Sequence, residues 1–447
     1  MSKVVTFVGV SVLILFLVGY IVQRQGLPPP KPQIAGIDLG TTFSSIGIYQ
    51  AVTGNTDVIE DEFGKKNVPS VVGFLKNGEI VIGNAAVAQQ EANPRNTIYD
   101  AKRFIGKSFN ESDPIFQADI SRYPFIIKLD ADGFAYFEVE QNNAIRKITP
   151  QFVGSLILKY LRDLTERKYG NKINEAVISV PAEFSELQRT YTEKAAELAG
   201  FTVRRIINEP TAAAMAYGLH KKKGVEYITV VDFGGGTLDI SILWISGGMF
   251  ITQAMAGNNR LGGQDFNDQI QRFLMRQIQL EHGVVLSNKE DLQHLRLGVE
   301  NAKIQLSSLP ETWIRLRFHT IKEEFKYLLT RREFEELNEN LFESVLEPVL
   351  VALQECELKP KDVDEIVLVG GSTRIPKVQN VVGTLFGKAP NYGVDPELAV
   401  VTGVAIQAGV LAGGWPLQVS AIELPSTRKK VHSFTTKSSH RNVKDEM

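Results

Sequence analysis

Two short stretches decide the fold of this 447-residue chain: Ile37-Asp38-Leu39-Gly40-Thr41-Thr42 and Val231-Asp232-Phe233-Gly234-Gly235-Gly236-Thr237-Leu238-Asp239. Each stretch lies between two apolar, β-rich runs, which predicts a strand, a tight turn and a second strand. Glycine lets the backbone of such a turn approach an anion, and its N–H groups and the Thr hydroxyls donate to phosphate oxygens. The flanking Asp38 and Asp232 suit Mg²⁺, which prefers hard oxygen ligands and keeps part of its water shell. Two such turns predict a duplicated lobe that holds one nucleotide from both sides.

A third element follows the same logic near residue 370. An apolar strand over residues 364–369 ends in Gly370-Gly371-Ser372-Thr373-Arg374, and Pro376 lies in the first turn of the next helix, where its missing N–H costs little. The exposed backbone of this Gly-Gly turn suits a planar base or ribose, and Arg374 is available to stack on the base. The order of two phosphate loops followed by a base loop is typical of actin-like and sugar-kinase ATPases.

Four further blocks narrow the class: residues 96–106, 176–182, 207–214 and 261–266. Together with the two turns, they closely resemble the ATPase domain of the DnaK-type stress chaperones, and the similarity runs from about Ile34 to about Leu411. The resemblance implies an α/β, two-lobed actin-like fold, with lobe I over residues 34–220 and lobe II over residues 221–414. It is closest to the microsomal branch of that family, which consists of the ATPase core and lacks the peptide-binding domain.

The resemblance also implies roles for individual residues in ATP hydrolysis. Asp38 and Asp232 are implied to bind Mg²⁺ through water, Lys102 to orient the attacking water, and Glu209 and Asp239 to fix the water and ion network. The implied cofactors are ATP or ADP and Mg²⁺, with K⁺ as a possible further ion. The residues implied to contact the nucleotide are Thr41, Thr42, Gly234, Gly235, Gly236, Thr237, Glu300, Lys303, Ser307, Gly370, Gly371, Ser372 and Arg374.

The sequence departs from the family at one nucleotide contact. In the family, adenine lies between two basic side chains of lobe II, and Arg374 matches one of them. The position of the other is occupied by Ile304, in a helix whose Glu300, Lys303 and Ser307 fit the pattern. An apolar wall without a stacked guanidinium predicts weaker nucleotide binding and faster release of ADP.

Several alternatives remain open beside ATP hydrolysis. A sugar or glycerol kinase and an actin-like filament share this fold, although the block around Lys102 and the segment 261–266 favour the chaperone branch. A nucleotide-binding scaffold or decoy for chaperone partners, with negligible turnover, is the non-enzymatic alternative. Pro181 and Arg189 match the family's proposed relay between the nucleotide and a peptide clamp, and here they are interpreted either as that relay or as structural remnants. The implied partners are J-domain proteins, nucleotide exchange factors and other chaperones.

Bulk composition excludes some function classes. With 43% hydrophobic and 22% charged residues and a net charge of −2, the chain has no basic excess that indicates nucleic-acid binding. Cys356 is the only cysteine, so no intrachain disulfide can form, and its two glutamate neighbours disfavour a thiolate. We therefore expect Cys356 to pack rather than to react.

The two ends of the chain differ from its middle. An uncharged, mostly apolar run over residues 4–22 predicts that residues 1–22 are a signal peptide or a retained signal anchor, and the second case alone implies membrane attachment. Residues 23–33 form a Pro-rich spacer, and residues 415–447 are expected to be a mostly disordered tail. A tail of about thirty residues is too short for a separate peptide-binding domain, which usually needs about 50 or more.

Three features predict the endoplasmic-reticulum lumen or the microsomal membrane as the location, with secretion as the alternative. The first is the apolar N-terminal run, and the second is Asn110-Glu111-Ser112, an acceptor pattern for N-glycosylation. The third is the terminal Lys444-Asp445-Glu446-Met447, which is one residue away from the Lys-Asp-Glu-Leu retention signal.

Overall fold

The computed structural model describes residues 34–219, 222–246, 249–258, 260–391 and 393–413, together with residue 17 and residues 431–433. The predicted signal segment (1–22, apart from residue 17), the spacer (23–33) and most of the tail (415–447) therefore lie outside the described residues. Within the described part of the chain, no helix is long and apolar enough to cross a bilayer.

The first lobe is built on a mixed sheet whose strands run in the order β12-β11-β1-β2-β3, with β4 paired to β2. Two small sheets, β6-β5-β7 and β10-β9-β8, form its outer part. The strands of this lobe are β1 (Ile34–Leu39), β2 (Phe43–Gln50), β3 (Asn55–Val58), β4 (Val68–Pro69), β5 (Val72–Phe74), β6 (Ile80–Ile82), β7 (Thr97–Ile98), β8 (Ile126–Leu129), β9 (Ala135–Gln141), β10 (Ala144–Ile148), β11 (Glu175–Val180) and β12 (Thr202–Asn208).

The second lobe repeats the central pattern with the order β18-β13-β14-β15-β19 and carries a separate hairpin, β16-β17. Its strands are β13 (Tyr227–Phe233), β14 (Leu238–Ser246), β15 (Met249–Asn258), β16 (Glu311–Leu316), β17 (Phe325–Thr330), β18 (Glu365–Val369) and β19 (Val431–Ser433). In each lobe the strand before the phosphate loop pairs antiparallel with the strand after it and parallel with a later strand. The predicted duplication is confirmed, and with it the two-lobed α/β fold.

Twelve α-helices are described, and several of them pack against the two central sheets. They are α1 (Asn84–Ala88), α2 (Pro114–Ile120), α3 (Pro150–Tyr169), α4 (Glu186–Leu198), α5 (Glu209–Ala216), α6 (Gly263–His282), α7 (Lys289–Leu306), α8 (Arg331–Leu337), α9 (Glu339–Ser344), α10 (Leu346–Glu355), α11 (Pro376–Phe386) and α12 (Ala399–Leu411). Short 3₁₀ helices at Ala101–Arg103 and Gly371–Arg374 carry side chains of the cleft.

Helix α3 illustrates why these segments fold locally as they do. The Thr149 hydroxyl caps its N-terminus by accepting from the Phe152 N–H, Pro150 occupies the first turn, and Gly170 ends it in the left-handed conformation. Its apolar stripe, predicted to be core, is buried at Val153 and at Ile157 in the core of the first lobe.

One helix does not follow the predicted lobe boundary. Helix α12 lies within residues 221–414, yet it packs against β1, β2 and β11 of the first lobe and against α5. Two glycines allow the approach, because a Cβ at Gly36 would lie 2.2 Å from the Ala405 nitrogen and one at Gly403 would lie 1.7 Å from the Ala212 carbonyl oxygen. Packing between segments so far apart in the sequence cannot be predicted from the order of elements along the chain.

Elsewhere the sequence patterns give the right kind of element with different boundaries. The sequence pattern over residues 266–306 is helical throughout, but the structure has two helices there, α6 and α7, because Gly283 adopts φ 68° and ends the first. The helical pattern over residues 331–356 is likewise divided into α8, α9 and α10. The tail, expected to be mostly disordered, contributes the short strand β19, which pairs parallel with β15.

Candidate functional site

A cleft of about 340 Å³ lies between the two lobes and collects most of the predicted site residues. Both phosphate loops line it, together with the ends of β1 and β13 and the start of the base loop. The predicted residues that line this cleft are Asp38, Thr41, Thr42, Lys102, Glu209, Asp232, Gly234, Gly235, Gly236, Thr237, Gly370 and Gly371.

The two phosphate loops contact each other across the cleft. A Cβ on Gly235 would lie 2.0 Å from the Thr42 hydroxyl oxygen, so only glycine fits this approach. The Thr42 hydroxyl is buried and has no hydrogen-bond partner among the residues that the structure describes. A buried hydroxyl of this kind usually has a partner, and a phosphate oxygen held between the loops would supply one.

The backbone of residues 262–264 packs against the second phosphate loop and hydrogen-bonds to it. The Gly263 N–H donates to the Gly234 carbonyl at 3.0 Å, and the Gln264 N–H donates to the Gly235 carbonyl at 2.8 Å. A Cβ on Gly262 would lie 2.3 Å from the Gly236 nitrogen. The glycines of the block 261–266 therefore serve close backbone packing that fixes the phosphate loop.

Lys102 reaches the cleft from the 3₁₀ helix of the first lobe. Its ammonium donates to the Glu209 carboxylate at 2.7 Å, and the two side chains are only 9% and 12% exposed. Burial opposes the charged amine, but the charges of Glu209 and Asp38 outweigh it, so the pKa of Lys102 is raised. Asp100, which immediately precedes this 3₁₀ helix, adopts the left-handed conformation with φ 56°. Lys102 is thus a fixed, fully charged cation between the phosphate loops.

The carboxylates around Lys102 are crowded and poorly solvated. Burial, followed by the charge of Glu209, raises the pKa of Asp38 to about 7, although Ser179 donates to Asp38 at 3.0 Å. Burial and the charges of Glu209 and Asp38 raise the pKa of Asp232 well above its usual range. Negative groups held this close in a buried site are stabilised by a cation, and their hard oxygens fit hydrated Mg²⁺.

Asp239 faces Asp232 across the second phosphate loop. The two residues are direct partners in the β13–β14 pairing, and the Thr237 hydroxyl donates to Asp239 at 3.1 Å. Burial, followed by the charge of Glu183, raises the pKa of Asp239 well above its usual range. Asp239 therefore belongs to the same electrostatic unit as the predicted metal ligands.

Contacts between the lobes close the mouth of the cleft. Arg122 of the first lobe lies 3.5 Å from Asp265 and 3.6 Å from Asp268 of α6. The other carboxylate oxygen of Asp265 accepts from the Gly262 N–H at 2.8 Å. The Arg296 guanidinium lies 4.6 Å from the centre of the Tyr99 ring, which adds a cation–π contact between the lobes. Lobe closure is thus linked to the backbone that supports the phosphate loop.

The predicted base contacts of α7 lie against the same backbone. Lys303 is nearly buried, and its ammonium donates to the Gly263 carbonyl and to Glu300, both at 3.0 Å. Burial opposes ionisation of Glu300, but the charge of Lys303 outweighs it and the pKa of Glu300 is lowered. The Ser372 hydroxyl donates to the Gly234 carbonyl at 2.8 Å. These residues tie the base side of the cleft to the phosphate loop.

A second, more open cavity of about 500 Å³ adjoins the base loop and is lined by Ile304, Ser307 and Arg374 among others. The Ile304 side chain is 56% exposed. The Arg374 guanidinium pairs with Asp395 at 2.5 Å and with Glu397 at 2.8 Å. Arg374 is therefore held by two carboxylates, a contact that the sequence did not indicate, and its stacking on a base stays a prediction.

Glu183 and Phe184 are among the cleft-lining residues that the sequence analysis missed. Glu183 and Phe184 follow β11, which pairs parallel with β1, and both line the cleft. The Phe184 ring centre lies 5.6 Å from the Lys102 ammonium. The available signal was topological, because the carboxyl ends of neighbouring parallel strands meet at one edge of a sheet and form binding sites there.

Arg189, one of the two predicted relay residues, supports this segment. Its guanidinium donates to the Asn208 side chain at 2.7 Å and to the Phe184 carbonyl at 3.2 Å. Asn208 immediately precedes Glu209 at the start of α5. Arg189 therefore joins two cleft walls, and a relay role stays a prediction.

Asn110 and Cys356 lie apart from the lining of the cleft. Asn110 is exposed in a turn in which its side-chain oxygen accepts from the Ser112 N–H at 3.0 Å. Burial, followed by the charge of Glu355, raises the pKa of Cys356 to about 11, which keeps the thiol protonated at neutral pH.

The duplicated lobes and the paired phosphate loops define the two-lobed, actin-like fold. The family model described as Hsp70 protein matches residues 34–428, and the chain belongs to this family. It is 43% identical to Heat shock 70 kDa protein 13 of Homo sapiens over 478 residues, covering 97% of this chain and 100% of the relative. The Rattus norvegicus and Pongo abelii proteins of that name are each 44% identical over 477 residues, with the same shares covered. Members of the family are ATPases that bind ATP or ADP with Mg²⁺ and work with co-chaperones.

Proposed function

We propose that this chain binds ATP with Mg²⁺ and slowly hydrolyses it to ADP and phosphate, with water as the only phosphoryl acceptor. The observation that carries the proposal is the buried Lys102–Glu209 pair, which lies between the two phosphate loops. Phosphoryl transfer needs little beyond positioned charge and an aligned nucleophile. A fixed ammonium beside carboxylates supplies the charge and can orient the attacking water.

Each group in the cleft has a part in this reaction. The loop amides and the Thr42 hydroxyl would hold phosphate oxygens, Asp38 and Asp232 would hold Mg²⁺ through its water shell, and Lys102 would orient the attacking water. Bound Mg²⁺ neutralises charge on the β- and γ-phosphates. Glu209 fixes the Lys102 ammonium and keeps it charged.

Phosphate release from the purified protein tests this proposal. Measurements with Mg·ATP, with EDTA added, and with glycerol and hexoses added separate hydrolysis from transfer to a hydroxyl compound. We expect Mg²⁺-dependent release that none of the hydroxyl compounds accelerates. Acceptor-dependent transfer would indicate a small-molecule kinase, and nucleotide binding without measurable release would indicate a scaffold or decoy.

We further propose a regulatory or co-factor role in protein processing in the endoplasmic reticulum, with J-domain proteins or nucleotide exchange factors as partners. Membership of a co-chaperone-dependent family supports the partner class. The apolar run over residues 4–22 and the exposed acceptor turn at Asn110 support the compartment. Stimulation of phosphate release by a J-domain protein tests the partner class.

Two measurements test the compartment. Full-length protein in intact microsomes should resist added protease until detergent is present, and digestion without detergent would place it in the cytosol. Treatment with an endoglycosidase should increase the mobility of the wild-type protein and leave Asn110→Gln unchanged.

A further inference from the structure

Glu183 lines the described cleft, yet neither the motifs nor the resemblance assigns it a role. It lies three residues beyond the end of β11. Its neighbour Phe184 lies against Lys102, so the segment that carries Glu183 is held at the reactive end of the cleft.

The position of Glu183 is fixed relative to Asp239. A Cβ placed on Gly257 would lie 2.9 Å from an Asp239 carboxylate oxygen and 3.6 Å from a Glu183 carboxylate oxygen. Gly257 is the direct partner of Asp239 in the β14–β15 pairing, so the missing side chain leaves room for both carboxylates. Glu183 and Asp239 therefore border one small space beside the second phosphate loop.

The charges around Glu183 come from three elements. Burial, together with the charge of Glu209 on α5, raises the pKa of Glu183, while the Lys107 ammonium on the loop after the 3₁₀ helix acts in the opposite direction. Asp239 on β14 is the third charged neighbour. A buried carboxylate among other carboxylates is a stronger proton acceptor than one in water.

We propose that Glu183 positions the attacking water together with Asp239 and accepts its proton during hydrolysis. This proposal rests on the proposed ATPase function and adds a role for Glu183, on which the evidence for that function does not depend. The water oxygen bonds to the γ-phosphorus, and the bond from that phosphorus to the β–γ bridging oxygen breaks, leaving its electron pair on ADP. The water proton passes to the Glu183 carboxylate and then to solvent.

Glu183→Gln tests the proposal, because the amide keeps the size of the side chain and removes the proton acceptor. We expect single-turnover hydrolysis to fall about 10²-fold, the lower end of the range for general-base catalysis. ADP affinity, measured by calorimetry, should stay within about twofold of wild type. The matched control is Glu186→Gln, an exposed glutamate of the same segment that lies outside the cleft lining, and its rate should equal wild type.

The pH profile separates a chemical role from a structural one. The wild-type rate should fall on the acid side as Glu183 becomes protonated, and the Gln variant should be slow across the whole range and lack that acid limb. Glu183→Asp, which keeps the carboxylate one methylene shorter, should retain the wild-type limb at an intermediate rate.

Three outcomes would overturn the inference. A Glu183→Gln rate within about twofold of wild type would leave the ATPase function intact and remove Glu183 from it. Parallel loss of ADP binding and hydrolysis would indicate a structural role. No phosphate release from the wild-type protein would overturn the proposed function and this inference together.

Discussion

The two ends of the cleft are built in different ways. At the phosphate end both lobes contribute, the charged groups are buried, and Lys102 is held by Glu209 at 2.7 Å. At the base end the lining cavity is open, Ile304 is 56% exposed, and Arg374 is paired with Asp395 and Glu397. The phosphate end is held by contacts within the protein, whereas the base end presents an exposed apolar wall.

Because the two ends differ in this way, we expect the phosphate end to control the rate of hydrolysis and the base end to control nucleotide affinity. Preorganised charge acts on the transition state because it needs no rearrangement at the moment of reaction. An exposed apolar wall contributes equally to substrate and transition state, so it changes binding more than turnover. We therefore expect substitutions at the phosphate end to lower the rate, and substitutions at the base end to change nucleotide residence.

The largest effect is expected from Lys102→Ala, which removes the fixed cation of the phosphate end. Phosphate release should fall about 10²–10³-fold, the loss typical of removing one preorganised charge-stabilising group. ATP should still bind, because the loops and carboxylates remain. The control is Lys76→Ala at an exposed position of the first lobe, and retained hydrolysis by Lys102→Ala would remove Lys102 from the mechanism.

Gly262→Ala tests whether the phosphate end depends on close backbone packing. The new methyl would lie 2.3 Å from the Gly236 nitrogen, so the loop must shift, and stability should fall by about 1–3 kcal/mol, as is typical of overpacking. Thermal unfolding measures the loss. Gly154→Ala is the matched control, because its methyl would meet the Ala195 Cβ at 3.4 Å within a helix and should be tolerated. Equal stability of the two variants would contradict the packing argument.

Ile304→Arg converts the base end from an apolar wall to a potential cation–π partner. Cation–π contacts contribute about 0.5–2 kcal/mol, which corresponds to a two- to thirtyfold gain in ADP affinity. Calorimetry should show tighter ADP binding and stopped-flow measurements a longer residence, with turnover changed less. Leu309→Arg places the same charge at another exposed apolar position and serves as control. Equal or weaker ADP binding by Ile304→Arg would show that the base is held in another way.

The smallest effect is expected at the mouth of the cleft, where Arg122 links the lobes. Its contacts with Asp265 and Asp268 are longer than 3.4 Å and partly exposed, and such pairs contribute about 0.2–1 kcal/mol. Arg122→Gln should therefore speed ADP release by up to about fivefold. Added salt should speed release from wild type and leave the variant almost unchanged, because screening acts on the ion pair. If the variant released ADP at the wild-type rate and with the wild-type salt dependence, the Arg122 contacts would not restrain the lobes.

Turn chemistry is the part of this molecule that can be read directly from the sequence. The Gly/Thr turns after Asp38 and Asp232 are local structures, so residue type alone predicts their shape and their affinity for an anion. The hairpin over residues 311–330 and the apolar stripe of α3 follow in the same way from local periodicity. The boundaries within residues 266–306 and 331–356 are harder to predict, because a single residue with non-helical backbone, Gly283 or Asn338, divides an otherwise helical pattern.

The sequence alone determined the class of the protein, the positions of the two phosphate loops and the choice of Lys102 as a cleft residue. Each of these depends on a motif of contiguous residues. Only the tertiary structure decided that Glu183 lies beside Asp239, that Arg374 pairs with Asp395 and Glu397, and that α12 packs on the first lobe. These are contacts between residues far apart in the chain. They depend on which strand ends meet at one sheet edge and on how closely glycines let backbones approach, and no local pattern encodes either.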